Sequence, residues 1–261
     1  MEYPNINFGT YRLGNDTRTA LLDAISNGYR GVDTASLYKV EHLVGNVIDE
    51  NQINRCELFY TTKLNPNLYA KSPSEIKDAI VISLESLRTK YIDLFLIHKP
   101  QEEHIIKCWS VLEEFYRQGI IKNIGVSNFD IHHMEMIRDF SSVPIYTNQI
   151  ELSPFLKRPS VDKYMNDHNI KVSAHSSMAK GEKFDDETIV KIANKYGKTP
   201  AQIMLKWGLQ NNYHIIPRSS KKAHIIEDIT LNDFHINALD MEELNNINIT
   251  HITHPQYKYR T

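Results

Sequence analysis

The sequence predicts a single α/β domain over residues 1–261, a (β/α)8 TIM barrel with an N-terminal β-hairpin, and three observations carry that reading. Short β-rich runs alternate with amphipathic helical segments along the whole chain, as a parallel sheet with helical crossovers requires. Eight such repeats average about 33 residues, the size of one βα unit. No Gly/Ser- or Pro-rich linker divides the chain. An open doubly wound sheet would carry a G-x-G-x-x-G turn after a strand, and none is present.

Taken in order, residues 5–14 read as the hairpin, lying across the barrel floor. Strands follow at 29–33, 58–63, 91–98, 121–127, 145–151, 171–175, 214–217 and 225–231. The run 91–98 is nearly continuous apolar sequence, as a strand buried on both faces should be. Helices fall between them at 18–26, 41–49, 72–90, 105–118, 131–140, 160–168, 186–195 and 199–209. In the 72–90 segment Ser72-Pro73 forms an N-cap and N1 pair, and Ile76, Ala79, Ile80, Leu84 and Leu87 share one face. Gly119 closes the 105–118 helix, and Thr199-Pro200 opens the last one. Cys108 and Trp109 lie on a helix face and read as core packing.

Composition removes several classes. Thirty Lys+Arg against 32 Asp+Glu leave a formal charge of −2, so nucleic acid and anionic membrane have no electrostatic footprint to meet. Two cysteines do not make a disulfide framework, and no basic-then-apolar leader or long apolar span is visible. A cytoplasmic protein, monomeric or weakly oligomeric, is expected. No metal is expected either: there is no Cys cluster, and His132-His133 lacks a His-x-x-x-His partner pattern with a helical carboxylate.

In a barrel, reactive groups project from the C-terminal ends of the strands. The first strand ends in Asp33, with Tyr38 and Glu41 just after it; the second ends in Lys63 and the third in His98. The fourth ends in Gly125-Val126-Ser127-Asn128-Phe129, and the fifth carries Asn148-Gln149-Ile150-Glu151. Singly, each has a plain alternative. A loop tyrosine is a surface amphipath, a strand-end lysine reaches for water, a histidine is hydrogen-bonded structure, and an aspartate beside threonine caps a helix. Placed together on successive strand ends, they read as a catalytic set.

These segments resemble the aldo-keto reductase family over about 5–246. Gly28-Tyr29-Arg30-x-x-Asp33-Thr34-Ala35-x-x-Tyr38-x-x-Glu41 is similar to its first signature, Ile124-Gly125-Val126-Ser127-Asn128-Phe129 to its middle one, and Ile216-Pro217-Arg218-Ser219-Ser220 to its late phosphate-binding one. The resemblance implies NAD(P)H-dependent reduction of an aldehyde or ketone to an alcohol, with Asp33, Tyr38, Lys63 and His98 as catalytic tetrad. A nucleotide-binding sensor or regulatory barrel with little turnover is the alternative.

The chemistry suits those residue types. Hydride arriving at a carbonyl carbon leaves charge on oxygen, which needs a proton. A free phenol has pKa ~10, and bringing it toward ~7 takes ~4 kcal/mol. An ammonium at ~4 Å supplies ~4 kcal/mol at an effective dielectric near ~20. Lys63 is therefore expected beside Tyr38, paired with Asp33, while His98 orients the carbonyl.

By the same resemblance Ser127, Asn128 and Gln149 hold the nicotinamide carboxamide, and Gly9-Thr10-Tyr11 forms a loop near the cofactor with Tyr11 in the substrate wall. His175-Ser176-Ser177-Met178 follows strand six, His175 standing where the family usually stacks a tyrosine on the nicotinamide. Arg218, Ser219, Lys221 and Lys222 suit the 2′-phosphate of NADPH at the start of a short helix. His224 stands where arginine is more common, which leaves NADH as a possible cofactor. Glu227 and Asp228 match the adenine positions. Lys99 replaces an aromatic and Val40 an asparagine. The short loop 100–105 and brief tail 248–261 imply an open pocket with little apolar wall, for a small-molecule carbonyl substrate of polar or sugar type.

Overall fold

Strand and helix alternate as the sequence expects in the computed structural model, which describes residues 1–255; the last six residues of the tail lie outside the described residues. The order is β1 (Asn7–Gly9), α1 (Thr17–Ser26), β2 (Gly31–Asp33), α2 (Glu41–Glu50), β3 (Phe59–Leu64) and α3 (Pro73–Ser86). Then come β4 (Leu94–Ile97), α4 (Glu102–Arg117), β5 (Ile124–Ser127), α5 (Ile131–Phe140), β6 (Thr147–Glu151) and α6 (Pro159–Asp167). The chain continues through β7 (Lys171–His175), α7 (Glu187–Tyr196), α8 (Pro200–Gln210), β8 (His214–Ile215), α9 (Lys222–Ile229) and α10 (Ala238–Asn245). All eight strands are parallel and lie in sequence order. The seam between the last and the first is closed by a parallel bridge, Ile6 to Ile215, and by Ile215 N–H donating to the Asn5 carbonyl at 2.8 Å.

Two expectations are corrected, and they offset each other. The 5–14 segment is not a hairpin: its middle is β1, paired in parallel with β2 from Asn7↔Gly31 to Gly9↔Asp33. The 225–231 run is not a strand but most of α9, because it buries Ile225 and Asp228, three apart, as one face of a helix. The true eighth strand is only His214–Ile215.

Local chemistry sets the helix ends as read. Ser72 and Glu75 form a reciprocal capping box ahead of Pro73, and Thr199 and Gln202 do the same ahead of Pro200. Gly45 lets α2 cross closely over the end of α3, since a Cβ there would meet the Ser86 carbonyl oxygen at 2.4 Å. At the N-terminal ends of the strands Tyr3 seals the floor. Its ring stacks on Phe59 at 4.9 Å and on His214 at 4.2 Å, and its hydroxyl hydrogen-bonds Ser173 at 2.5 Å. The opposite ends form the mouth.

Candidate active site

Asp33 is the last residue of β2, Lys63 sits near the end of β3, and His98 directly follows β4, so parallel register alone brings them side by side. Tyr38 arrives from a single 3-10 turn, Ser36–Tyr38, whose first residue donates its hydroxyl to the Lys63 carbonyl at 2.9 Å. The Lys63 ammonium is 1% exposed, 2.5 Å from Asp33 Oδ1, 2.9 Å from the Thr34 carbonyl and 5.4 Å from the centre of the Tyr38 ring. Burial pushes that ammonium below the ordinary lysine value, while Asp33, and more weakly Glu41, pull it back up. The other Asp33 oxygen accepts from Gln149 Nε2 at 2.7 Å, so both carboxylate oxygens are committed.

The His98 ring meets Tyr38 edge-on, with centroids 5.6 Å apart. It is 6% exposed, and its Nδ1 has no hydrogen-bond partner among the described residues. Burial, with Lys63 and Lys99 nearby, pushes its pKa down to about 3, so the ring is neutral at physiological pH. Lys99 thus adds positive charge where the resemblance expected an aromatic.

A cavity of about 560 Å³ opens here, within the ~300–1,000 Å³ typical of small-molecule sites. Asp33, Tyr38 and His98 line it, while Lys63 stands behind them. Of the residues expected around a cofactor, Gly9, Tyr11, Ser127, Asn128, Gln149, His175, Ser176, Ser177, Arg218, Ser219, His224, Glu227 and Asp228 line the same cavity. Thr10 does not. It is buried, and both its backbone N–H and its hydroxyl donate to the Asp33 carbonyl. Lys221 caps α9 outside the lining, and Lys222 pairs with Asp23 at 3.1 Å. Burial pushes the Asp228 carboxyl up to about 7, and the neighbouring Glu227 charge adds to the shift.

Sequence reasoning missed part of the wall. The tail turns back over the mouth: Thr253 N–H donates to Glu151 Oε1 at 2.6 Å, the Thr253 carbonyl accepts from Lys180, and His251 N–H donates to the Phe155 carbonyl at 3.0 Å. His254 is thereby placed in the cavity wall, 6.2 Å from the Tyr11 ring and 5.7 Å from the His175 ring. Burial and the cations Lys180 and Arg12 push it down to about 4. The open rim expected from a brief tail is therefore narrowed by an imidazole. Arg12, Lys180 and Phe184 also line the cavity from loops that carry no recognisable motif.

Elsewhere on the rim Glu102, His132 and His133 gather their ligand-type atoms within 4.8 Å. His133 Nδ1, however, accepts the Asp130 backbone N–H at 3.1 Å, so in the neutral ring Nε2 holds the proton and offers a donor, not a lone pair, to Glu102.

Fold and mouth together define a barrel oxidoreductase that reduces carbonyl groups. The chain belongs to the Aldo/keto reductase family, whose model matches residues 5–249. It is 37% identical over 249 residues to methylglyoxal reductase DkgA of Escherichia coli, covering 94% of this chain and 88% of that one. Glyoxal reductase of Bacillus subtilis is 36% identical over 251 residues, with 95% and 90% covered. A crystal structure of an aldo-keto reductase from a Medee basin deep-sea metagenome superposes with a TM-score of 0.90 at 32% identity, covering 94% of this chain and 91% of that one.

Proposed function

We propose that this enzyme reduces small polar aldehydes and ketones, 2-oxoaldehydes foremost, with NADPH as reductant and Tyr38 as general acid. The observation that carries the reading is the buried Lys63–Asp33 pair beside the Tyr38 ring. The residues present suit a nicotinamide dinucleotide: amide and hydroxyl groups of Ser127, Asn128 and Gln149 stand beside the tetrad, and Arg218 and His224 lie near the α9 N-terminus, which favours anions. The reduced nicotinamide supplies hydride to the carbonyl carbon when bound. Tyr38 gives its hydroxyl proton to the carbonyl oxygen, and Lys63 stabilises the phenolate left behind. Asp33 holds the ammonium in place, and the neutral His98 ring orients the carbonyl.

Ser127, Asn128 and Gln149 would hold the carboxamide, with Gly9, Thr10 and Tyr11 shaping the adjoining loop and His175, Ser176 and Ser177 flanking the nicotinamide. Arg218, Ser219 and His224 would hold the 2′-phosphate, helped by Lys221, and Glu227 and Asp228 the adenine. The polar wall of Tyr11, His98 and His254 suits a short oxygenated substrate, as do the methylglyoxal and glyoxal reductases among the relatives. Both cysteines are free, Cys56 exposed and Cys108 buried, which suits the reducing cytoplasm. No helix among the described residues is long and apolar enough to cross a membrane.

The test is reduced-nicotinamide consumption with methylglyoxal, glyoxal and aldoses, run with NADPH and with NADH. Turnover is expected, fastest with the 2-oxoaldehydes; tight nucleotide binding without turnover would favour the sensor reading. His224→Arg should raise the NADPH-over-NADH preference by about three- to tenfold, through a charge-assisted contact to the 2′-phosphate.

A further inference from the structure

His175, the last residue of β7, occupies the position where an aromatic was expected to stack, and its hydrogen bonds describe a different task. Its Nε2 lies 3.0 Å from Asn128 Oδ1 and its Nδ1 lies 3.2 Å from Ser176 Oγ. Asn128 Nδ2 in turn donates to the His98 carbonyl at 3.1 Å and to Ser127 Oγ at 3.0 Å. A carbonyl oxygen only accepts, so the Asn128 group facing His98 must be the NH2 and the group facing His175 the oxygen. His175 Nε2 consequently carries the proton, and the Ser176 hydroxyl donates to Nδ1.

We infer that His175 is a positioning residue: by donating to Asn128 Oδ1 it braces the asparagine amide whose NH2 group grips the backbone of His98. This rests on the reductase reading above and adds a part to it. The chain of bonds links the ends of β7, β5 and β4. Its middle member, Asn128, sits at φ 62°, in the left-handed region that asparagine tolerates better than other side chains do. Without the His175 donor the chain loses one of its bonds, and the grip of the Asn128 NH2 group on the His98 carbonyl loosens. His98 would then drift from the edge of Tyr38, which is where the carbonyl has to be oriented. Burial, together with His254 and Lys63, keeps the His175 ring well below the ordinary histidine pKa, so one neutral tautomer serves throughout the physiological range.

Three variants test this. His175→Phe keeps a flat ring and removes the donor, and its kcat should fall about tenfold while the cofactor Kd, read by quenching of protein fluorescence, moves less than about threefold. His175→Gln returns an N–H near the Nε2 position and should recover kcat to within about threefold of the parent. Asn128→Asp keeps an acceptor for His175 but strips the donor to His98, so it should lose kcat as His175→Phe does, and the double variant should be no worse than either single one. An unchanged kcat with weakened cofactor binding in His175→Phe, no rescue by Gln, or additive effects in the double variant overturns the proposal. Should His175→Phe not fold, full kcat in Asn128→Asp overturns it alone. A parent enzyme without any turnover defeats the reductase reading and this proposal with it, a result unlike the others.

Discussion

The two ends of the barrel each hold a tyrosine against the same strands, and they use it in opposite ways. At the floor, Tyr3 packs with Phe59, Leu94 and Leu96 and donates or accepts one short bond with Ser173. Burial pushes its phenol above the ordinary tyrosine value, and the Asp33 charge adds to the effect. At the mouth, Tyr38 is half-buried with an ammonium behind its ring and a neutral imidazole at its edge. The side chain is the same but its neighbours differ: Tyr3 is a plug held un-ionised by burial, and on the function proposed above Tyr38 is an acid. Burial without a cation stabilises the fold, and burial around a cation prepares chemistry.

The comparison breaks most visibly at Tyr38. Tyr38→Phe should lower kcat by about 10³- to 10⁴-fold, measured in single turnovers, with cofactor Kd unchanged within about twofold. Tyr3→Ala should instead cost about 3–5 kcal/mol of stability in urea unfolding, with the KM of the folded fraction unchanged. A shifted KM there would mean that floor and mouth are coupled.

The neutral imidazoles of the mouth give a smaller, pH-dependent signal. His98 and His254 take up protons near ~6.5 when unfolded but only at about 3 and about 4 when folded. The unfolded chain therefore binds more protons below ~6.5, and the melting temperature should fall as pH drops through that value. His98→Asn should flatten part of this slope. Asp228 works in the other direction, since its folded value of about 7 lies above the ~3.9 of an unfolded aspartate. The stability linked to its proton is present at acid pH and lost as pH rises from ~4 through ~7. Asp228→Asn should raise the melting temperature by a few degrees at alkaline pH and leave it unchanged below pH ~3, where aspartate is largely protonated in both states. Calorimetry at the two pH values checks it.

Much of this was legible in the chain itself. Alternating runs gave the class of fold, and Asp33, Lys63 and His98 were readable because strand ends of a parallel barrel converge. What escaped depended on partners distant in sequence. Asn7-Phe8-Gly9 is too short and too poor in β-branched residues to announce a strand, and only its ladder to β2 makes it one. The run after His224 is rich in isoleucine and reads as strand until the burial of Ile225 and Asp228 reveals a helical face. His254 was invisible as a wall residue because its place is set by Glu151, Phe155 and Lys180, three loops or strand ends that no local pattern connects to the tail. Lys222 resembled a phosphate ligand by position, yet Asp23 of α1 already holds it.

The seam between β8 and β1 has a consequence for the whole molecule. Gly9 N–H donates to the Pro217 carbonyl at 2.9 Å across that joint, and Gly9, Pro217, Arg218 and Ser219 all face the cavity. An occupant touching both sides works as a clasp on a ring whose closing strand is two residues long. By mass action, any ligand that binds only the closed ring raises its stability and slows the opening of this joint.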